Sequence, residues 1–384
     1  MKSTAQKLKL LLVSDTYYPR VDGTVRFIEE FMKRAEEFEV TLLVPQFQKH
    51  LKGKNIISLS VSRWIKPLPT YPAIQFSWKN WAAIKKAVQE HDLVFAQGPA
   101  WASLLSIYYA RKYKKPCFTY LHVLSWELFE QSSTLPGKKA AAYLLKKLCL
   151  SVYNRSTVLL LPYRELQEQL PEIRTKIAVA RLGIDIDQFY PSQNKAESKQ
   201  KVGLDKSKKV IVYVGRISKE KNIRLLVKAF AKLPHQEYLQ LVLVGSGSGQ
   251  ELQQYQKLKN CLITGFVGNV EDYLRAAEVF VMPSLTETTS LATLEAMSCG
   301  LPVLATKVGF IQNYVVKGHN GLFIPKYNPA LLAAKMEKVL NDKALRERLG
   351  ANARKTVAYS FSWERSINKI KRILREEYYQ AYTS

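Results

Sequence analysis

The sequence contains few cysteines and no long hydrophobic run. Its four cysteines are scattered, without a Cys-x-x-Cys pair or a Cys/His cluster. This spacing argues against a disulfide scaffold and against structural zinc, so we expect reduced thiols. No segment approaches the roughly 18 apolar residues that cross a bilayer, and the N-terminal residues lack a cleavage-site pattern. We therefore expect a cytoplasmic protein. The cysteines are Cys117, Cys149, Cys261 and Cys299.

Acidic residues are scarce relative to basic ones. The chain has 58 Lys and Arg against 32 Asp and Glu, a formal charge of +26, and both halves share the excess almost equally. Nucleic-acid-binding proteins more often concentrate their charge in an arm or a recognisable module, and none is found here. We expect no nucleic-acid partner. Two explanations of the charge stay open: attraction to an anionic membrane surface, or a solvated lysine-rich exterior.

The length of 384 residues suits two domains better than one. Short apolar runs alternate with helical patterns, which predicts α/β domains with buried parallel strands. We expect domains over residues 1–190 and 208–359, a polar linker over 191–207, and a C-terminal helix, about 360–384, packed on the first domain. The predicted strands are Leu8–Ser14, Val40–Val44, Leu93–Ala96, Cys117–Leu121, Val158–Leu161, Val210–Val214, Leu239–Val244, Leu262–Thr264, Val279–Met282 and Val303–Ala305.

Two glutamates near a predicted helix N-terminus are the most informative feature. The sequence predicts a helix over Leu291–Ser298, stopped by Cys299-Gly300-Leu301-Pro302. Glu287 then precedes the helix and Glu295 lies inside it. Free backbone N–H groups at Ser290 and Leu291 would suit a phosphate. This pattern favours a ligand with phosphate and hydroxyl groups, although an amphipathic helix with two solvated acids would look similar.

Basic residues follow the strand Val210–Val214. Gly215 and Arg216 come directly after it, and Lys221 precedes the next predicted helix. Open α/β sheets bind ligands beyond the carboxyl ends of their strands, where two cations would suit a diphosphate. Gly245 ends another strand with a tight turn, but the sequence there lacks a full dinucleotide fingerprint and a Walker lysine.

Two features of the first half could contact a ligand. Asp22-Gly23 follows the first strand and can form a tight turn that aims backbone amides at a ligand. His122 follows the strand Cys117–Leu121, and a neutral imidazole there can bond a sugar hydroxyl. A structural histidine remains the alternative.

Together these residues resemble the retaining family 4 glycosyltransferases of GT-B fold, over essentially the whole chain. The family's Gly-Arg and Glu-Lys pairs correspond to Gly215-Arg216 and Glu220-Lys221, and its Glu-x7-Glu to Glu287 and Glu295. The resemblance implies two doubly wound, Rossmann-like domains facing across a cleft, the first for the acceptor and the second for a nucleotide-sugar donor.

The resemblance also implies roles for single residues. Arg216 and Lys221 would hold the donor diphosphate, Glu287 would face the sugar hydroxyls, and Glu295 the ribose. Phe266 and Val267 fall where the family meets the nucleotide base, and His122 where it places a histidine near the transferred sugar. No metal and no separate cofactor are expected.

The sequence departs from the family pattern at three places, and the first of them leaves the sugar open. Thr288-Thr289-Ser290 replaces an aromatic residue and glycine, and the segment from Gly309 to Asn313 replaces a Gly-Gly-x-x-Glu loop. Asp22-Gly23 replaces the Gly-Gly of the family's first domain, and this variant resembles the one in members that act on membrane lipids.

We therefore expect a metal-independent, retaining transferase that moves a hexose from a UDP- or GDP-sugar to a membrane lipid or lipid-linked acceptor. It would lie peripherally on the inner face of the cell membrane, docked through a lysine-rich helix over residues 138–155. This helix carries an apolar stripe of Leu144, Leu145, Leu148 and Val152 beside its lysines, and a core-packed helix would show the same stripe. A soluble transferase of polysaccharide or protein glycosylation, and an inactive basic binding protein, remain the alternatives.

Overall fold

The computed structural model describes residues 7–18, 23–46, 55–62, 74–98, 100–122, 124–132, 136–247 and 250–383. The chain divides into two compact units. The first unit comprises Met1–Arg181 with Glu364–Ser384, and the second comprises Leu182–Trp363. Each unit is built around a parallel β-sheet.

The sheet of the first unit has seven described strands in the order β3-β2-β1-β4-β5-β6-β7, all parallel. The inner strand β1 is fully buried from Leu10 to Val13, as expected for a strand covered by helices on both sides. The strands are β1 Leu8–Ser14, β2 Phe38–Pro45, β3 Ile56–Leu59, β4 Leu93–Gln97, β5 Cys117–Tyr120, β6 Val158–Leu161 and β7 Lys176–Val179. The helices are α1 Gly23–Arg34, α2 Trp78–Glu90, α3 Trp101–Lys112, α4 Ser125–Ser132 and α5 Lys138–Tyr153.

The sheet of the second unit has six described strands in the order β10-β9-β8-β11-β12-β13, again parallel. The strands are β8 Lys209–Val214, β9 Leu239–Val244, β10 Cys261–Gly265, β11 Val279–Met282, β12 Val303–Thr306 and β13 Gly321–Ile324. The helices are α6 Lys195–Lys201, α7 Ile223–Phe230, α8 Gln250–Gln256, α9 Val270–Ala276, α10 Leu291–Ser298, α11 Ile311–Tyr314, α12 Pro329–Asn341 and α13 Lys343–Ser360.

The segment from 182 to 207 differs from the expected end of the first domain and linker. Ile184 N–H donates to the carbonyl of Phe361 at 2.7 Å, inside the second unit. Residues 195–201 form α6, whose Lys199 makes a buried 2.9 Å ion pair with Glu278. A segment without apolar periodicity is therefore ordered by an ion pair, which a search for apolar residues does not detect.

The C-terminal helix α14, Trp363–Thr383, lies almost wholly in the first unit. Its contacts there are ionic as well as apolar. Lys371 pairs with Glu37 at 3.3 Å, and Glu377 pairs with Lys176 of β7 at 2.5 Å. Ile367, Ile370 and Leu374 of the same helix are buried.

Three strands escaped the sequence prediction: β3, β7 and β13. Each lies at an edge of its sheet and is less buried than the central strands. An edge strand needs no continuous apolar run, so its sequence signal is weak. The four cysteines carry free thiols, as expected. Within the described residues no helix combines the length and the apolar character needed to cross a membrane.

Candidate active site

In the second unit, the predicted site residues gather where the strand order reverses. From β8 the chain moves outward to β9 and β10, and then returns to place β11 on the other side of β8. In open parallel sheets the loops diverge at this switch point and leave a crevice beyond the carboxyl ends of the strands. The loop after β8 carries Arg216 and Lys221, and the loop after β11 carries Glu287.

Lys221 and Glu287 form an ion pair across this switch point. Lys221 Nζ lies 2.6 Å from Glu287 Oε1, and the two side chains are 17% and 9% exposed. Ser284 Oγ donates to the same carboxylate oxygen at 2.8 Å. Both bonds end on Oε1, so Oε2 can accept from a ligand hydroxyl, and the ammonium retains further N–H groups for an anion.

Arg216 is held by a second carboxylate. Its guanidinium lies 3.3 Å from Glu220 Oε1, which also accepts from Ser218 Oγ at 2.7 Å. Glu220 is buried, whereas the Arg216 side chain is 44% exposed. Tyr213 Oη donates to the Arg216 carbonyl at 2.8 Å and so fixes the start of the loop. Glu220 thus orients a cation that still faces solvent.

The predicted helix over Leu291–Ser298 is confirmed as α10. Ser290 at its N-cap has a left-handed backbone (φ 58°), uncommon for a residue with a Cβ. The Ser290 hydroxyl pairs with Thr293 Oγ1 at 2.7 Å and does not cap the backbone. The first N–H groups of a helix have no intrahelical acceptor, so this end can bind an anion. Glu295 is buried in the second turn.

Two glycines bring the loops of this edge together. A side chain at Gly245 (φ 144°) would collide with the carbonyl oxygen of Gly215. The N–H of Gly215 donates to the carbonyl of Val244 at 2.9 Å. A side chain at Gly309 (φ 49°) would collide with the carbonyl of Glu287. The close packing therefore requires glycine at both positions.

Phe266 and Val267 follow the edge strand β10. Gly265 bridges to Gly245 at the end of the neighbouring strand, which brings this loop beside the β9 turn. Phe266 is exposed and Val267 half-buried. An exposed aromatic ring at this edge offers a stacking surface.

In the first unit, Asp22 lies outside the described residues, and Gly23 is the first residue of α1. The loop after β1 is held by Asp15 instead. Its carboxylate accepts from Ala102 N at 2.6 Å and from Ser103 N and Oγ at 3.2 and 2.8 Å. Ala100, the N-cap of α3, has no side chain able to cap, so Asp15 caps this helix from another strand.

His122 is half-buried at the end of β5. Its Nε2 lies 2.8 Å from Gln97 Oε1, and its ring packs against Phe27 and Tyr120 with centroids 5.3 and 4.6 Å away. Burial lowers the pKa of His122 to about 3. The imidazole is therefore neutral near pH 7 and can accept or donate a hydrogen bond without a charge.

Sequence reasoning assigned no roles to four residues that organise these edges: Asp15, Gln97, Glu220 and Ser284. Each stands within three residues of a strand end or of a predicted site residue. Proximity to strand ends is the signal that could have found them. Their partners lie far away in sequence, so the individual bonds could not be inferred.

The described residues contain no group of three His, Cys, Asp or Glu side chains arranged to hold a metal. One Asp-x-Asp triplet, Asp185-Ile186-Asp187, is present. There Asp185 Oδ1 accepts from the backbone N–H groups of Asp187 and Gln188 at 3.0 and 2.9 Å. This is an Asx turn.

Several curated relatives match about half of the chain. The D-inositol 3-phosphate glycosyltransferase of Streptomyces bingchenggensis is 30% identical over 207 residues, which cover 50% of this chain and 45% of the relative. The chain thus spans less than half the length of that relative.

Two solved structures share the architecture. Sucrose-phosphate synthase from Thermosynechococcus elongatus has a TM-score of 0.77 at 19% identity, with 96% of this chain and 99% of that chain covered. Alr3699/HepE from Anabaena, solved in complex with UDP-glucose, has a TM-score of 0.76 at 19% identity, with 96% and 100% covered. At such identity these matches establish the GT-B fold alone.

Two family models match the chain in succession. The model described as Glycosyltransferase Family 4 matches residues 21–188, and the model described as Glycosyl transferases group 1 matches residues 194–356. Together they account for most of the sequence, one for each sheet. The chain therefore belongs to the family 4 type of glycosyltransferase with a GT-B fold.

Proposed function

We propose that this transferase moves a hexose from a UDP- or GDP-sugar to its acceptor with retention of configuration. The observation that carries the proposal is the ion pair of Lys221 and Glu287 at the switch point of the second unit. Together with the exposed guanidinium of Arg216, it combines cations suited to a diphosphate with a carboxylate suited to hydroxyl groups.

The chemistry follows from where charge develops. Sugar transfer passes through an oxocarbenium-like state, and the barrier falls when the departing diphosphate is stabilised. Arg216, Lys221 and the N-terminus of α10 would supply that stabilisation without a metal. Glu287 Oε2 would accept from a sugar hydroxyl. Retention would come from attack on the face that the diphosphate leaves, with a phosphate oxygen as the base.

A donor panel tests this proposal. UDP-glucose stands first, because the structural neighbour from Anabaena was solved with it; UDP-galactose, GDP-mannose and GDP-glucose complete the panel. We expect hydrolysis of one donor without acceptor and without added metal, with EDTA present as a control. The anomeric configuration of the first-formed product, read by NMR, reports retention or inversion. Donor binding without any hydrolysis would favour the inactive binding protein, and an inverted product would refute retention.

For the acceptor, we propose a membrane lipid or lipid-linked sugar reached from the inner face of the cell membrane. Helix α5 supports this. Its Leu144 and Leu148 are 67% and 50% exposed beside exposed Lys139 and Lys147. A basic helix with exposed leucines suits the boundary of an anionic bilayer. Val152, in contrast, is buried, so the predicted apolar stripe divides between core and surface.

Liposome sedimentation tests the membrane proposal. We expect the protein to sediment with vesicles containing 30% phosphatidylglycerol far more than with phosphatidylcholine alone, and Leu144→Ser/Leu148→Ser to lose most of that binding. Leu331→Ser, at an exposed leucine on α12 of the second unit, is the matched control. Equal sedimentation with both vesicle types would reject the lipid acceptor and favour a soluble transferase of polysaccharide or protein glycosylation.

A further inference from the structure

Ser14, Gln97 and His122 lie at the switch point of the first sheet, where β1 adjoins β4. Ser14, at the end of β1, is the register partner of Gln97, at the end of β4. Gln97 in turn pairs in register with Tyr120, two residues before His122. This is the position at which a doubly wound sheet opens a crevice for a ligand.

The Gln97 side chain is only half satisfied. The residue is 5% exposed, and its Oε1 contacts His122 Nε2 at 2.8 Å. Its Nε2 is buried and has no hydrogen-bond partner among the described residues, and the same holds for Thr16 Oγ1, two residues beyond Ser14. Leaving a buried donor unpaired costs about 1–3 kcal/mol, so such atoms are expected to meet a ligand or an ordered water molecule.

The contact also fixes the tautomer of His122. Because an amide oxygen only accepts, His122 Nε2 must carry the hydrogen, and Nδ1 of the neutral ring is then an acceptor. His91 shows the opposite arrangement, since its Nδ1 lies 2.6 Å from the carbonyl of Ala87 and must donate. The two histidines thus provide reference tautomers within one chain.

We propose that Gln97 is a specificity-determining residue, whose Oε1 holds His122 in the Nε2–H tautomer while its Nε2 donates to an oxygen of a bound sugar. His122 Nδ1 then accepts from a neighbouring hydroxyl of the same ring. A sugar fits because it carries hydrogen-bond acceptors and donors on adjacent carbons. The identification of the ligand as a sugar rests on the proposed function. The prediction of the His122 tautomer rests only on its contact with Gln97.

The tautomer is tested by long-range ¹H–¹⁵N correlation spectra of the full chain labelled at histidine. The chain has five histidines, and His122→Asn identifies the signal of interest. We expect His122 in the Nε2–H form and His91 in the Nδ1–H form. Gln97→Met keeps the side-chain length but offers no oxygen, so His122 should become a mixture of tautomers. An Nδ1–H signal for His122 in the unaltered protein would overturn the proposal.

Ligand contact is tested through activity on the productive donor. Gln97→Met should lower kcat/KM by about 10- to 100-fold, the range expected when a polar site loses one partner. Gln97→Glu, which retains an acceptor for His122 but no N–H donor, should also be impaired. Gln89→Met, at an exposed glutamine near the end of α2, is the matched control. Thermal melting of each variant separates these losses from misfolding.

Monodeoxy donors locate the hydroxyl. One deoxy donor should be processed poorly by the unaltered protein but no worse than the parent donor by Gln97→Met. If the effect appears in hydrolysis without acceptor, the transferred sugar makes the contact; if it appears only in transfer, the acceptor does. Equal activity of Gln97→Met and Gln89→Met on every compound would overturn the proposal.

Failure of the proposed function gives a different result. If no donor is hydrolysed, UDP-glucose and free glucose are titrated into ¹⁵N-labelled protein and the side-chain amide signal of Gln97 is followed, with Gln97→Met for assignment. A shift of that signal would support the sugar contact in a binding protein. An unmoved signal at saturating ligand would overturn it.

Discussion

The two units share a strand order but place opposite kinds of chemistry at their switch points. The second unit sets a cation against a carboxylate, with Lys221 and Glu287 2.6 Å apart. The first unit sets neutral groups side by side, with Gln97 2.8 Å from a His122 whose pKa burial lowers to about 3. One backbone plan therefore supports an ion pair at one switch point, called the ionic edge, and an uncharged amide–imidazole pair at the other, called the neutral edge.

Physical cost would explain this division if, as proposed, the second unit binds a diphosphate and the first unit binds a sugar. Phosphate carries full charge, and charged donors bind it about twice as strongly as neutral ones. Hydroxyl groups are neutral, and burying a charge to meet them would cost several kcal/mol without an ionic partner. An amide and an uncharged imidazole meet the same need at lower cost. The comparison predicts that charge changes matter in the second unit and hydrogen-bond geometry in the first.

The largest effect is expected at the ionic edge. Lys221→Ala should lower turnover of the productive donor by about 100-fold or more, because in the proposed mechanism one charged donor to the leaving diphosphate is lost. Lys219→Ala, an exposed lysine in the same turn, is the matched control and should remain near normal. Initial rates of donor hydrolysis measure both variants. If the Lys221→Ala rate were close to that of Lys219→Ala, the charge of Lys221 would not drive turnover, and the proposed difference between the two units would be wrong.

A smaller effect is expected at Asp15, which holds the loop after β1 to the start of α3. Asp15→Ala leaves three donors on Ala102 and Ser103 without their acceptor. We expect a loss of about 2 kcal/mol in the free energy of unfolding, measured by urea titration. Asp342 is an exposed cap of α13 that accepts from Leu345 at 2.8 Å.

Asp342→Ala serves as the control for Asp15 and should cost about 1 kcal/mol or less, because water replaces the lost acceptor. Equal losses in the two variants would show that the Asp15 contacts add nothing beyond an ordinary cap. The neutral edge would then depend less on this loop than its geometry indicates.

The sequence predicted the interior of both sheets well. β1, β6, β9 and β11 have the bounds expected from their apolar runs, and α10 begins and ends where its turn residues indicated. These elements are buried, so burial and composition agree. The edge strands β3, β7 and β13 were missed because partial exposure permits mixed residues.

Pairings across the chain were beyond sequence reasoning. Lys221 and Glu287 were both chosen as site residues, yet their mutual ion pair depends on β11 returning beside β8. The contact between Gln97 and His122 depends likewise on the register of β4 and β5. Strand order and register determine which side chains meet, and local sequence patterns predict neither of them.

The last prediction concerns how the stability of the protein depends on pH through His122 at the neutral edge. The folded-state pKa of His122 is about 3, against 6.5 for an ordinary histidine. Below pH 6.5 the unfolded chain therefore binds a proton that the folded protein excludes, and stability falls as the pH is lowered. The fall approaches about 1.4 kcal/mol per pH unit. Burial lowers the pKa of His91 too, so that residue adds a decline of the same sign.

His122→Asn should therefore flatten the decline between pH 6.5 and 5 without abolishing it. Five of the six tryptophans lie within residues 1–181, so fluorescence during urea unfolding reports chiefly on the first unit. His235→Asn, at an exposed histidine of the second unit, should leave the decline unchanged. Parallel slopes for the unaltered protein and His122→Asn would mean that His122 accepts a proton in the folded state, and the first unit would then carry charge at its switch point as the second does.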